Sequence, residues 1–532
     1  MEEDYDTERA HYLRFLDPNV TGRSGEEESL RTTPLFSLTV KHAIDGTFKE
    51  QSSGSPEASK SVSDKAVDSA IESEDGGRPF SDRRGVQYPG QMLPMPILPQ
   101  YGLLGFHVGK HDQMSYHEPI MLNVHAPNSA FICGSQGSGK SYTLNCFLEN
   151  CLLTGACTGK LRQPLAGLVF HYDIDSSDTL AKTASLCSRG IKVNVLVSNS
   201  NFEAAQLKYQ TAIDDQENLT VEKFLLPPSE LIIERMHKLM AFSEKSDAVP
   251  LYMEVIQRIL RQMAVSGQGR GYKYGEFLKL LDQAGLSTEQ QRPMRLRLDL
   301  LHSFMRWPPS NMDLKNKKAR KVLDLQPDTL TIVDLSDPSV DAATVCTLFD
   351  ICLSVAKEKR PEYGMVVTLD EAHKYIDQSP AAKNFTDRLL TTIREQRHIG
   401  TRVIISTQEP TISEKLLDLC SISIVHHFQS PAWFRSIHDH LGGASGLVHS
   451  DKAQATLFEH IVTLPVGESR VFAPSAFVCL GADGQPKRLG SGVLHMRTRS
   501  RLGIDAGMAS DLVRQRLGHD GGGAVEEIRK RA

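Results

Sequence analysis

The chain is 532 residues long, 40% hydrophobic and 23% charged, so it can bury a large core and is no stapled mini-protein. The nine cysteines form no CxxC pair and mostly sit in apolar stretches, so they read as small core residues of a protein in a reducing compartment. Net charge is −5; residues 1–85 hold 18 acidic against 11 basic side chains, a net of −7 that leaves +2 for the rest, which argues against a broad nucleic-acid coat and makes any phosphate contacts local, as in a channel.

Residues 1–85 mix acid clusters such as Glu26-Glu27-Glu28 with Ser- and Gly-rich stretches, and are expected to form a disordered acidic tail. The apolar runs YLRFL and PLFSLTV inside it are candidates for docking on a partner protein or on the folded body. The opening MEEDYDTERA is unlike a signal peptide, and no run of roughly 18 apolar residues suggests a membrane span. A soluble intracellular protein is expected, with nucleus and cytoplasm left open.

From about Pro89 the chain alternates short β-rich runs with helical spans, the pattern of an α/β fold with a mainly parallel central sheet. A first core segment spans 86–200: SAFICG (129–134) reads as a strand, followed by a helix from about Lys140, and GLVFHYDI (167–174) and KVNVLVS (192–198) as further strands. Residues 201–325 are expected to be a helical insertion ending in the basic segment DLKNKKARK. The core resumes over 326–500 with TLTIVDLS (329–336), MVVTLDE (365–371), RVIISTQ (402–408) and SISIVHHF (421–428). A short C-terminal helix and a frayed tail are expected over 501–532.

The chemistry sits at the ends of these strands. Gly134-Ser135-Gln136-Gly137-Ser138-Gly139-Lys140-Ser141 fits GxxxxGK[ST] between a strand and a helix, the context in which backbone N–H groups cradle a polyphosphate. Lys140 is expected to reach the β and γ phosphates of ATP, and Ser141 to offer its hydroxyl to Mg²⁺. The following Tyr142 is grouped with the nucleotide-binding residues. The strand MVVTL ends in Asp370-Glu371, a carboxylate pair costly to bury without a task. Asp370 is assigned to the metal and Glu371 to the attacking water; plain helix capping is the alternative. In VIISTQEP, Gln408 leaves an apolar strand at the edge where parallel sheets bind ligands, either as a γ-phosphate sensor or as a turn residue. Arg394, Arg397 and Arg402 cluster just upstream, candidates for an arginine finger or for surface ion pairs. Asp173 and Asp175 are a weaker pair, fitting metal, nucleotide or a helix cap.

The order of these motifs over about 102–496 resembles the HerA/FtsK branch of P-loop ATPases, ring-forming motors that pump DNA, with relatives in secretion and conjugation. The lead-in LLGFHVGK, the long gap from the Gly-rich loop to LDEAHKY, IVDLSDPS, and REQRHIGTRVIISTQEP are the similar stretches, and TLPVGESRVFAPSAF is similar to the closing hairpin. Gln136 and Glu409 depart from common family residues. The resemblance implies a RecA-like core, an intersubunit finger at Arg394 or Arg397, the sensor role for Gln408, and self-association, as a hexamer, around DNA. DEAH also suits a superfamily 2 helicase, but no QxxGRxGR follows and one α/β core is evident. A nucleotide-switched scaffold with little turnover and a secretion-type ATPase acting on protein remain the alternatives.

Overall fold

A computed structural model of the protein describes residues 23–53, 96–109, 117–155, 157–174, 180–213, 217–240, 251–266, 273–306, 323–440 and 451–502. In chain order its strands are β1 (Leu35–Ser37), β2 (Tyr101–His107), β3 (Pro119–Asn123), β4 (Ser129–Cys133), β5 (Gly159–Lys160), β6 (Ala166–His171), β7 (Lys192–Val197) and β8 (Leu219–Lys223). They continue with β9 (Thr329–Asp334), β10 (Met365–Leu369), β11 (Thr401–Thr407), β12 (Ile422–Val425), β13 (Glu468–Phe472), β14 (Phe477–Leu480), β15 (Pro486–Arg488) and β16 (Leu494–Thr498). All join one 16-stranded sheet, ordered β15-β14-β1-β3-β2-β16-β13-β12-β4-β11-β10-β6-β9-β7-β8, with β5 on β2.

The sheet has two halves. From β12 to β8 every neighbouring pair is parallel. From β12 through β13, β16 and β2 to β3 every pair is antiparallel. The parallel strands are buried on both faces because alternate side chains enter two cores. Phe131, Phe170, Val367 and Ile405 pack with the helices Ala342–Glu358 and Pro380–Arg394 and with the insertion helices, while Ile132, Val169, Val366 and Ile404 pack with the helix Lys140–Leu152. Cys133, Cys146, Cys151, Cys346 and Cys352 are buried, the role expected of small core residues.

The expected strands at 129–134, 167–174, 192–198, 329–336, 365–371, 402–408 and 421–428 are all present, and the helix begins at Lys140. Two expectations need correction. Residues 23–53 are not a disordered tail: a helix (Arg23–Arg31), β1 and a helix (Leu38–Ser53) follow one another, and PLFSLTV docks on the body. Phe36 and Val40 are fully buried beside Met121 and Phe477, and β1 lies between β3 and β14. Asn123 Nδ2 donates to the carbonyls of Arg31 and Thr33 at 2.9 and 2.8 Å. Average composition hid this because a few apolar residues and two available strand edges suffice to order the segment. The rest of 1–85, the basic segment 313–321 and the expected C-terminal helix lie outside the described residues.

The second correction is β8, which lies inside the expected helical insertion and forms the edge strand beside β7. Glu222 and Lys223 on it are exposed, as suits an edge. Among the described residues of 201–325, the helices Phe202–Ala212, Ile233–Met240, Leu251–Ser266, Tyr274–Asp282 and Thr288–Ser303 flank it.

Candidate nucleotide site

β4 delivers the Gly-rich loop to the C-terminal edge of the parallel half, and the helix Lys140–Leu152 starts directly behind it. Its N-cap, Gly139, has φ 114° and supplies no side-chain cap, so the helix opens with N–H groups no capping side chain has claimed. Gly134 has φ 151°, and a Cβ there would stand 2.7 Å from Cβ of His426 and 2.8 Å from Ser138 Oγ. Ser135 braces the loop: its N–H and Oγ both donate to the His427 carbonyl, at 2.8 and 2.9 Å. Lys140 is buried, and its Nζ donates to the Ser135 carbonyl at 3.0 Å. Burial pushes its pKa down, opposed by the charges of Glu371 and Asp370. Gln136 and Gly137 face solvent, and Ser138 Oγ is buried without a hydrogen-bond partner.

β10 carries the carboxylates to the same edge. One strand, β11, separates β10 from β4. Asp370 is 3% exposed; its N–H donates to the Phe170 carbonyl at 2.9 Å and its Oδ2 meets His171 Nδ1 at 3.2 Å, while Oδ1 is buried with no partner. Glu371 adopts a left-handed backbone, φ 48° and ψ 46°, unusual for a residue with a Cβ. Burial and the adjacent Asp370 charge push its pKa up, against the pull of Lys140. Gln408, the first residue after β11, donates from Nε2 to Glu371 Oε2 at 3.2 Å and from its N–H to His373 Nδ1 at 3.3 Å. The phosphate loop, the acid pair and the glutamine thus end three adjacent strands, with the glutamine's strand between the other two. The chain has a P-loop NTPase fold.

Around this P-loop core lie groups that the sequence reading did not single out. His426 is fully buried; Nδ1 donates to the Glu468 carbonyl at 2.9 Å and Nε2 meets Thr143 Oγ1 at 3.0 Å. Burial and Lys140 hold its pKa down at about 4. His171 closes β6. Burial alone would lower its pKa, but the hydrogen bond to Asp370 and the charges of Asp334, Asp370 and Glu371 outweigh that and hold it at about 9. The only sequence signal for either is a histidine at the end of an apolar strand, VFHYD and IVHHF.

Some expected residues stand apart from the loop's phosphate face. Tyr142 is half-buried under Arg501, whose guanidinium lies 4.5 Å from the ring centroid and whose N–H donates to the Tyr142 hydroxyl at 2.7 Å. Arg402 is 5% exposed and donates to the Val124, His125 and Gly400 carbonyls at 2.7, 2.8 and 2.8 Å, so it is a structural residue and leaves the finger candidates. Arg394 and Arg397 are exposed at the start of β11, one strand length, roughly 20 Å, from the loop of their own chain. Asp173 faces Lys374 Nζ at 3.5 Å, and Asp175 lies outside the described residues.

The donor set suits Mg²⁺. Asp370 Oδ1 and the half-buried Ser141 hydroxyl are hard oxygens, and magnesium keeps most of its ligands as water and phosphate rather than protein. No group of three or more His, Cys, Asp or Glu among the described residues is placed to hold a metal ion. No helix among them is long and apolar enough to cross a membrane.

No protein-family model and no curated protein matches the sequence. Among solved structures the chain is similar to VirB4 of Thermoanaerobacter pseudethanolicus, at 13% identity over 75% of this chain and 96% of that one, with a TM-score of 0.47. It is also similar to the genome packaging NTPase B204 of Sulfolobus turreted icosahedral virus 2 in complex with ATP-gammaS, at 11% identity over 71% and 98%, TM-score 0.25. The cytoplasmic domain of the Type VII secretion ATPase EccC of Thermomonospora curvata is similar at 11% identity over 77% of this chain and 30% of that one, TM-score 0.28. None of these likenesses assigns a reaction to this chain.

Proposed function

We infer that the protein is a Mg²⁺-dependent ATP hydrolase of the HerA/FtsK type that works as a ring, a hexamer, and moves DNA through its centre. The observation that carries the reading is the convergence of Lys140, Asp370, Glu371 and Gln408 at the ends of adjacent parallel strands. In this reading the loop from Gly134 to Ser141 holds the phosphates through backbone N–H groups, and Lys140 leaves the Ser135 carbonyl to reach the β and γ oxygens. Ser141 and Asp370 hold Mg²⁺, which when bound neutralises phosphate charge. Glu371, with its raised pKa, accepts a hydrogen bond from the attacking water and aligns it. Gln408 holds Glu371 and senses the γ phosphate.

Arg394 and Arg397 support the ring. Exposed and a strand length from their own loop, they are suited to a neighbour's phosphates and unsuited to their own. DNA as cargo follows the family resemblance, whereas the +2 balance outside residues 1–85 keeps protein cargo as the second reading. Phosphate release with and without DNA across a salt series tests the two. Stimulation that falls steeply with salt supports DNA translocation; indifference to DNA rejects it in favour of protein cargo. ATP-driven assembly without steady phosphate release rejects the hydrolase reading itself.

A further inference from the structure

Three adjacent strands set three ionisable side chains in a row. In the parallel ladders His171 is opposite Asp334, and Phe170 is opposite Leu369, which sets Asp370 beside His171 on the other flank. The far end of the row is anchored: Asp334 accepts from the Tyr209 hydroxyl at 2.7 Å and from the Ser336 N–H at 3.0 Å. His171 is 2% exposed and sits on the last residue of a fully buried strand, so its ring has little freedom. Its Nδ1 occupies one oxygen of Asp370 at 3.2 Å. The other oxygen, Oδ1, is buried and has no protein partner.

We propose that His171 is a positioning residue for the metal: by holding Asp370 Oδ2 it fixes the carboxylate rotamer and leaves Oδ1 as the oxygen presented to hydrated magnesium. The proposal rests on the Mg²⁺–ATP reading above. A carboxylate that must receive a hydrated ion gains from a rigid partner on its second oxygen, since otherwise the group rotates and samples orientations that waste the charge. Partners of this kind typically change metal affinity by about 10–100-fold when removed. Lys140 Nζ donates to the Ser135 carbonyl and His171 Nδ1 meets Asp370, so nucleotide affinity without Mg²⁺ is expected to survive the loss of His171.

The test is equilibrium binding of a fluorescent ATP analogue to the full chain, in EDTA and across a Mg²⁺ titration, with no turnover required. His171→Leu is expected to keep the EDTA affinity and to need about 10–100-fold more Mg²⁺ for the same tightening. His171→Asn, whose amide N–H falls near the Nδ1 position, is expected to restore most of the Mg²⁺ response. His171→Gln, with its amide one methylene further out, is not. A wild-type Mg²⁺ response in His171→Leu overturns the proposal, as does equal weakening in EDTA and in Mg²⁺, which marks a packing role. Should His171→Leu fail to fold, equal responses of the Asn and Gln variants overturn it. Absence of any nucleotide affinity in the wild-type protein defeats the ATP reading itself, a result distinct from all of these.

Discussion

Gln408 donates to Glu371 across 3.2 Å, joining the ends of two adjacent strands whose side chains serve the same reaction in the proposed function. Because His373 accepts from the Gln408 N–H, the glutamine is held by both its backbone and its amide against the acidic motif. Glu371 itself adopts a left-handed backbone conformation that its own Cβ disfavours.

Lys140→Ala is expected to abolish tight ATP binding, while Glu371→Gln retains ATP and loses turnover by about 10²–10⁴-fold. Nucleotide affinity and phosphate release measured side by side separate the two. Equal hydrolysis by both variants and the wild type rejects the assignment.

Gly134→Ala should damage the loop more than its size suggests. The new methyl would press on His426 and Ser138 at a backbone conformation that alanine rarely adopts. Expected are a lower melting temperature and at least about tenfold weaker nucleotide binding, of the order of 1.4 kcal/mol. A variant that binds and melts like the wild type would show that the loop can relax.

Arg394→Ala and Arg397→Ala should leave ATP binding intact, and one of them should lower turnover by about 10³–10⁵-fold. Mixing that variant with Glu371→Gln should restore part of the activity, since some interfaces then combine an intact arginine with an intact glutamate. No recovery in the mixture rules out action across subunits.

Asp350 is 2% exposed in the helix Ala342–Glu358 and pairs with Lys238 at 2.7 Å and with Arg388. It ties the insertion helix Ile233–Met240 to the helix that ends at Arg394. Asp350→Ala should cost about 2 kcal/mol, because Lys238 and Arg388 lose their charged hydrogen bonds to a buried carboxylate and keep only the more exposed Glu234. Urea unfolding checks this, and a change under about 0.5 kcal/mol, ordinary for a surface site, contradicts it.

Stability should fall on acidification partly through His426. An unfolded histidine titrates near 6.5, whereas folded His426 is held at about 4. Its contribution is therefore complete above about pH 6.5 and is lost as pH falls toward 4, because the unfolded chain then binds a proton that the folded one refuses. At about 1.4 kcal/mol per pH unit the loss is on the order of 3 kcal/mol. Unfolding free energies at pH 7 and pH 5 should differ less in His426→Asn than in the wild type; identical differences refute the assignment.

Local sequence sufficed for the parallel half apart from its edge strand β8, whose pairing with β7 it did not show. Buried strands such as SAFIC and MVVTL are written as unbroken apolar runs, and the Gly-rich loop follows from φ values that only glycine adopts easily. These are short-range preferences, legible without neighbours. PLFSLTV announced an apolar segment but not its fate, because ordering it takes edges supplied by β3 and β14, some 85 and 440 residues away. Arg394, Arg397 and Arg402 read alike in sequence, yet only Arg402 meets a set of backbone carbonyls that removes it from solvent. His171 and His426 are marked in the sequence only as histidines that end apolar strands: what shifts them in opposite directions is set by the folded sheet, the hydrogen bond to Asp370 and the charges of Asp334 and Asp370 for one, burial with Lys140 nearby for the other. Residue type and spacing singled out the Gly-rich loop and the acid pair as candidates; long-range strand order decided their companions, since electrostatic environment depends on distance in space and not along the chain.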